Sequence, residues 1–351
     1  MTSATASGGA GGRRPARIVC VALSPSIDVT YVVPHLAPGT IHRPAEVYRV
    51  PGGKGFNVAR AARALGADGA AAGVLGGDSG AWMVAMLARS GMRLATVMGI
   101  EPTRTCVSVS DRSAGTLTEF YEPPPRITPK AWSDLLHTVV RVCDEHPSWV
   151  SLSGSLPPGP VPEALADLVA AAKGAGAKVA VDTHSTALAA AVGAGADLLK
   201  VNVEEAAALL GSGRGTGYGD GGGDATGADP LTAAQLRDPA VLATALLAAS
   251  PHTSLAIVTA GADGAVVASR TGPPLRATLD VRGDFPVGSG DSFLGGLLTA
   301  LADAPDDVET ALRLAMGAGA ANALTPGAGV LDAGTARTLA EKVLVTTLSP
   351  L

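Results

Sequence analysis

The chain has little cysteine, few aromatic residues and no cluster of basic charge. Cys20, Cys106 and Cys143 are odd in number and keep no metal-ligand spacing with the six histidines, which form neither HxH nor HExxH. A disulfide framework and a zinc site are therefore excluded as organising features. Aromatic residues make up only 3% of the sequence, so alanine, valine and leucine must fill the core. No apolar run reaches the roughly 18 residues that a membrane-spanning helix needs, and the opening MTSATASGGAGGRRPAR lacks the apolar centre of a signal peptide. A cytoplasmic location without a membrane partner is the expectation. The formal charge of −5 carries no basic excess, and the scattered lysines and arginines do not form the cluster that a nucleic-acid partner requires.

Against these absences stand 47% hydrophobic residues, 45 glycines and 25 prolines in 351 residues, which is ample apolar surface to bury and many turns to make. One main α/β domain with small additions fits this length, since single cores stop growing near ~250–300 residues. Residues 1–16 are small, polar and glycine-rich and read as a flexible tail, which places the folded domain at 17–345. From there the Val/Ile-rich runs RIVCVAL, AGVLG, WVSLSG, KVAVDT, LLKVN and LAIVTAG alternate with Ala/Leu-rich stretches of helical period. The helical stretches lie at about 57–66, 79–91, 161–174, 186–195, 203–211, 233–249, 291–303 and 307–324. This alternation predicts a doubly wound α/β core, a parallel sheet with crossover helices.

The alternation breaks at residues 27–50 and 103–121, the second being RTCVSVS and TLTEFY around the turn-like DRSAG. Strand pairs inserted between crossover units do not fit a parallel core. They are expected to form a small antiparallel sheet, either a lid over a site or an edge extension. Residues 212–229, SGRGTGYGDGGGDATGAD, are almost free of apolar groups and read as a disordered surface insertion without a Gly-x-x-x-x-Gly-Lys-Ser/Thr phosphate loop.

The chemistry concentrates in FPVGSGDSFLGGLLTAL, residues 285–301, where a Gly-x-Gly turn runs into a helix with Phe293, Leu294, Leu297, Leu298 and Leu301 on one face. Unpaired N–H groups of Gly288, Ser289, Gly290 and Asp291 at a helix start, together with the helix dipole, suit an anion. Asp291 in the first turn can take a proton from an attacking hydroxyl, or can simply cap its helix.

This stretch resembles the C-terminal signature of the ribokinase-like (PfkB) sugar kinases, and PGGKGFNVARAARALG at 51–66 resembles the N-terminal one. The latter, with SGSLPPG at 153–159 and KVNVEE at 200–205, is most similar to the branch of 1-phosphofructokinases and tagatose-6-phosphate kinases. The resemblance implies a central, mostly parallel sheet between helices with a small antiparallel β-sheet lid. It further implies in-line transfer of the ATP γ-phosphoryl group to a sugar hydroxyl, with magnesium on the phosphates. Asp291 is then the base, with Gly288, Ser289 and Gly290 as its anion hole.

For the sugar phosphate, Gly52 and Gly53 allow close backbone approach, Lys54 supplies a mobile cation and Asn57 a two-way amide. By resemblance, Asp28 binds sugar hydroxyls and Arg104 reaches the sugar's phosphate from the lid. Asn202 and Glu205 match an Asn-x-x-Glu that orders magnesium through water, and Lys200 approaches the nucleotide phosphates. Glu204 is expected to point elsewhere. Thr259, Gly261 and Asn322 resemble positions around the nucleotide. A homodimer paired through the lid is compatible with the same family.

Some residues depart from the pattern. Ser289 stands where the family has alanine, and Cys106 and Ser108 stand where many 1-phosphofructokinases carry Asn and Lys, which removes one cation from the lid. Tyr121 and Pro124 replace Asn and Gly in the TEFYEPPP segment. A kinase for an unphosphorylated sugar or nucleoside is the alternative within enzymes, and a non-catalytic sugar- or nucleotide-binding regulator the alternative outside them.

Overall fold

The computed structural model describes residues 17–160, 163–211 and 231–349. The expected tail at 1–16 and insertion at 212–229 lie outside the described residues. The first half of the chain runs β1 (Arg17–Ala22), β2 (Ser26–Val33), β3 (Glu46–Gly52), α1 (Lys54–Ala64), β4 (Asp68–Gly76), α2 (Gly77–Arg89) and β5 (Arg93–Gly99). It continues through β6 (Arg104–Asp111), β7 (Thr116–Tyr121), α3 (Pro129–Cys143), β8 (Trp149–Ser153), α4 (Ala164–Gly174), β9 (Lys178–Asp182) and α5 (Ser185–Gly193). The last part comprises β10 (Leu198–Asn202), α6 (Val203–Gly211), α7 (Pro239–Ala248), β11 (Leu255–Thr259), β12 (Ala265–Ser269) and β13 (Leu275–Thr278). It closes with α8 (Ser289–Asp303), α9 (Val308–Ala323), α10 (Ala333–Ala340) and β14 (Leu344–Thr347).

A 10-stranded sheet in the order β14-β13-β12-β11-β10-β9-β8-β1-β4-β5 forms the centre. The strands from β5 to β11 are parallel, and β12, β13 and β14 add an antiparallel edge. Parallel strands buried on both faces read as unbroken apolar runs, as in VCV of β1 or VAV of β9. One face packs under α3 to α7 through Val19, Leu135, Leu152, Leu168 and Leu246; the other packs under α1, α2, α8 and α9 through Phe56, Met83, Leu294 and Leu312. The core is thus built of aliphatic side chains, as the shortage of aromatics requires.

The two interruptions in the alternation form a second, 4-stranded sheet, β3-β2-β6-β7. Its outer pairs are antiparallel, and its central β2–β6 contact is parallel, Ser26 lying beside Arg104 and Asp28 beside Cys106. Strand alternation puts Asp28, Cys106, Ser108 and Tyr121 on one face and Ile27, Val29, Tyr31 and Val107 on the other. That second face, with Arg49, Trp82 and Thr105, lines a cleft of about 320 Å³. Among the described residues no helix is long and apolar enough to cross a membrane.

Candidate active site

Parallel strands β9, β10 and β11 end on Asp182, Asn202 and Thr259, at the carboxyl edge of the sheet, where open α/β folds place their ligands. Asp291 arrives from the first turn of α8 and is 7% exposed. The turn before it is possible only for glycine at Gly288: φ is +82°, and a Cβ there would lie 2.5 Å from the Gly329 nitrogen. The Ser289 N–H donates to the Pro286 carbonyl, so the expected row of four free amides is reduced. Those of Gly288, Gly290 and Asp291 keep no acceptor among the described residues.

Asn57 Nδ2 donates to Asp291 Oδ2 at 2.9 Å and reaches Asp28 Oδ2 at 3.4 Å, joining the two carboxylates that the sequence reading assigned to base and sugar binding. Its Oδ1 accepts from Arg60 Nη1 at 3.0 Å. Ser26 Oγ donates to Asp28 Oδ1 at 2.6 Å, and the Gly53 N–H points at Asp28 Oδ2. Gly52 must lack a side chain, because a Cβ would fall 2.0 Å from the Asp28 carboxylate.

Lys54 was expected to be a mobile cation and is not. Its Nζ donates to Asp182 Oδ1 at 2.7 Å and lies 3.7 Å from Glu205, while Lys200 Nζ donates to Asp182 Oδ2 at 2.7 Å. Burial opposes charge on Lys54, but Asp182, Glu205 and Asp291 more than restore it and hold its ammonium above the ordinary lysine range. Burial likewise opposes an ionised Asp182, yet Lys200 and Lys54 keep its carboxyl at about 2. Burial, aided by the Asp182 charge, pushes Asp291 up to about 6 against the pull of Lys54, Asn57 and Lys200. Burial also raises Asp28 above the usual carboxylate range.

Asn202 and Glu205 form a capping box at the start of α6: the Glu205 N–H donates to Asn202 Oδ1 at 2.8 Å and the Asn202 N–H to Glu205 Oε2 at 2.9 Å. Asn202 also lines a cavity of about 730 Å³ with Thr259, Gly261, Arg237 and Arg276. Glu204, set aside in the sequence reading, lines it too. Asn322 is elsewhere. It has no exposed surface, accepts from the Gly329 N–H and Ser292 Oγ, and donates to the Val287 carbonyl, so it braces the Gly288 turn from behind and is sealed off from the cavity.

Arg104 begins β6 at the lid edge. It donates to the Glu122 and Ser24 carbonyls at 3.1 and 3.5 Å, while its buried Nε and the buried Ser24 Oγ have no hydrogen-bond partner among the described residues. Sequence reasoning missed Asp182, Arg60 and Ser24. The signal for Asp182 was present, as a carboxylate closing the buried run KVAVD has to be paired with something.

Comparison with known proteins bears on the family of the whole chain. A family model described as pfkB family carbohydrate kinase matches residues 15–333. The 1-phosphofructokinase of Rhodobacter capsulatus is 32% identical over 311 residues, 88% of this chain and 92% of that one. The ATP-dependent 6-phosphofructokinase isozyme 2 of Escherichia coli is 29% identical over 313 residues, 89% of this chain and 94% of that one. The crystal structure of Escherichia coli phosphofructokinase-2 in complex with substrates and products superposes with a TM-score of 0.78 at 26% identity, covering 93% of this chain and 98% of that one. Since the family match spans nearly every described element, from β1 to the start of α10, the chain belongs to the pfkB family of carbohydrate kinases.

Proposed function

We propose that this enzyme transfers the γ-phosphoryl group of ATP to a hydroxyl of a ketohexose phosphate, such as fructose 1-phosphate or tagatose 6-phosphate. The observation that carries the reading is the position of Asp291, with Asn57 and Asp28 on its lid side and the Lys54–Asp182–Lys200 group beside it. The acceptor oxygen forms a bond to the γ-phosphorus as the bond to the bridging oxygen of ADP breaks. ADP leaves with that electron pair, and Asp291 takes the hydroxyl proton. The free amides of the α8 turn stabilise charge on the phosphoryl oxygens. The cavity at Asn202, Thr259 and Gly261 suits the nucleotide.

Magnesium fits this donor set through water. Among the described residues no three His, Cys, Asp or Glu side chains gather as a metal cage, and Glu205 with Asn202 offers one carboxylate and one amide beside the phosphates. When bound, the ion neutralises phosphate charge. Arg104 supports a substrate that already carries a phosphate, because its orphaned Nε is a buried donor that an anion would satisfy. The neutral Cys106 and Ser108 on the same lid face favour the second reading, an unphosphorylated sugar or nucleoside. ADP release measured across ketohexose phosphates, free ketohexoses and nucleosides decides between them; the highest kcat/KM is expected on a phosphorylated ketohexose. The apolar outer face of the lid suits a homodimer, and a kinase consuming ATP belongs in the cytoplasm.

A further inference from the structure

Asp182 has no exposed surface, yet both of its oxygens are engaged, one by a lysine from α1 and the other by a lysine from β10. Resting on the kinase reading above, we infer that Asp182 is a positioning residue: it clamps Lys54 and Lys200 as a pair at the α8 turn, where both cations serve the phosphoryl group in transit, and neither serves the phosphate that the sugar already carries.

Three observations converge on this assignment. Lys200 Nζ lies 3.2 Å from where a Cβ of Gly290 would sit, so its ammonium rests against the turn whose amides are free. The acids around Lys54 are Asp182, Glu205 and Asp291, all on the core side; among the described residues its ammonium is ion-paired with Asp182 and Glu205 and with no lid residue. Arg104, by contrast, comes from the lid and is anchored on the Ser24 and Glu122 carbonyls with a buried donor to spare. Asp182 holds two ammonium groups on one carboxylate, and Glu205, 3.7 Å from Lys54, balances the second charge, so both lysines stand as fixed donors at the turn. A cation fixed before the reaction needs no reorganisation when charge develops, which makes it effective on a transition state and wasteful on a bystander group.

The test is steady-state kinetics of the full chain with ATP and fructose 1-phosphate or fructose 6-phosphate. Asp182→Asn keeps the side chain's size and one acceptor oxygen but loses the charge that pairs the lysines. It is expected to lower kcat by about 30-fold or more while KM for the sugar phosphate stays within about threefold, whereas Arg104→Leu is expected to raise that KM by about tenfold or more. Lys54→Met and Lys200→Met should behave like Asp182→Asn, and they carry the test if that variant does not fold. A raised sugar-phosphate KM with kcat retained in Lys54→Met would hand the lysine to the sugar's own phosphate and overturn the inference. Unchanged kcat and KM in a folded Asp182→Asn would do the same, reducing the clamp to a structural ion pair. Should wild-type turnover appear only on an unphosphorylated acceptor, the substrate reading fails by itself, and the kcat loss measured on that acceptor still decides the role of Asp182.

Discussion

Asp291 is asked to be buried and to be charged, and the two demands conflict. Burial holds its carboxyl at about 6, above the ordinary aspartate value. As the proposed base it must be ionised, so kcat/KM is expected to fall with an acid limb near pH 6; a limb near 4 would place the controlling group elsewhere. Asp291→Asn keeps the hydrogen bond from Asn57 but cannot take a proton, and it should lower kcat by roughly 10²- to 10⁴-fold while nucleotide affinity persists. The same substitution should stabilise the fold. A carboxyl that binds its proton more tightly when folded gives its full stability below the unfolded pKa and loses it as pH rises through the folded pKa. Above pH 6 the ionised group therefore costs on the order of 3 kcal/mol, which the neutral amide avoids. Thermal unfolding should show the variant with a higher Tm than wild type, by more at pH 8 than at pH 5. Asp291 and Asn57 were legible because they sit in motifs at helix starts. The clamp was not, because its three members lie on three elements 128 and 18 residues apart, and only the β9–β10 pairing and the placement of α1 bring them together.

At the scale of elements, the turn before α8 and the lid carry the consequences. Gly288→Ala imposes both a left-handed φ and a contact with Ala328 and Gly329, so it should unfold at least ~1–2 kcal/mol more easily and lose turnover through a displaced turn; urea melts and kcat check this. On the lid, Phe120 is 60% exposed and Val47 47%, beside Val107 and Tyr31 in register. If copies pair on this apolar face, Phe120→Glu should shift sedimentation toward monomer, and an unchanged profile would put the interface elsewhere. The lid was readable as two breaks in a regular alternation. Its parallel centre was not, since nothing local tells β2 which strand lies beside it. Helix α3 was readable and overlooked: Thr128 caps it, Pro129 opens it, and Trp132, Leu135, Val139 and Cys143 repeat at helical spacing. Strands β13 and β14 escaped because they are four residues long and partly exposed, whereas β12, as long as β8 to β11, was readable as the apolar run AVVAS and was overlooked.

For the molecule as a whole, the lid and the core are woven from the same thread. The chain leaves the central sheet after β1, forms β2 and β3, returns for β4 and β5, leaves again for β6 and β7, and returns for β8. The cavity proposed for the nucleotide lies on the core alone, so a non-hydrolysable ATP analogue at about 100 times its Kd should stabilise the core by about 2.7 kcal/mol, read as a rise in Tm. The lid cannot be treated as such a separable unit. Its parallel β2–β6 seam joins residues 26–33 to residues 104–111, with two core strands and two helices between them in the chain. A chimera that takes only one hairpin of the lid from a relative would bring a foreign strand to that seam and leave Asp28 and Cys106 facing the wrong neighbours. Substrate preference should therefore transfer between relatives only when residues 26–52 and 104–121 are exchanged together, two cuts that behave as one heritable cassette.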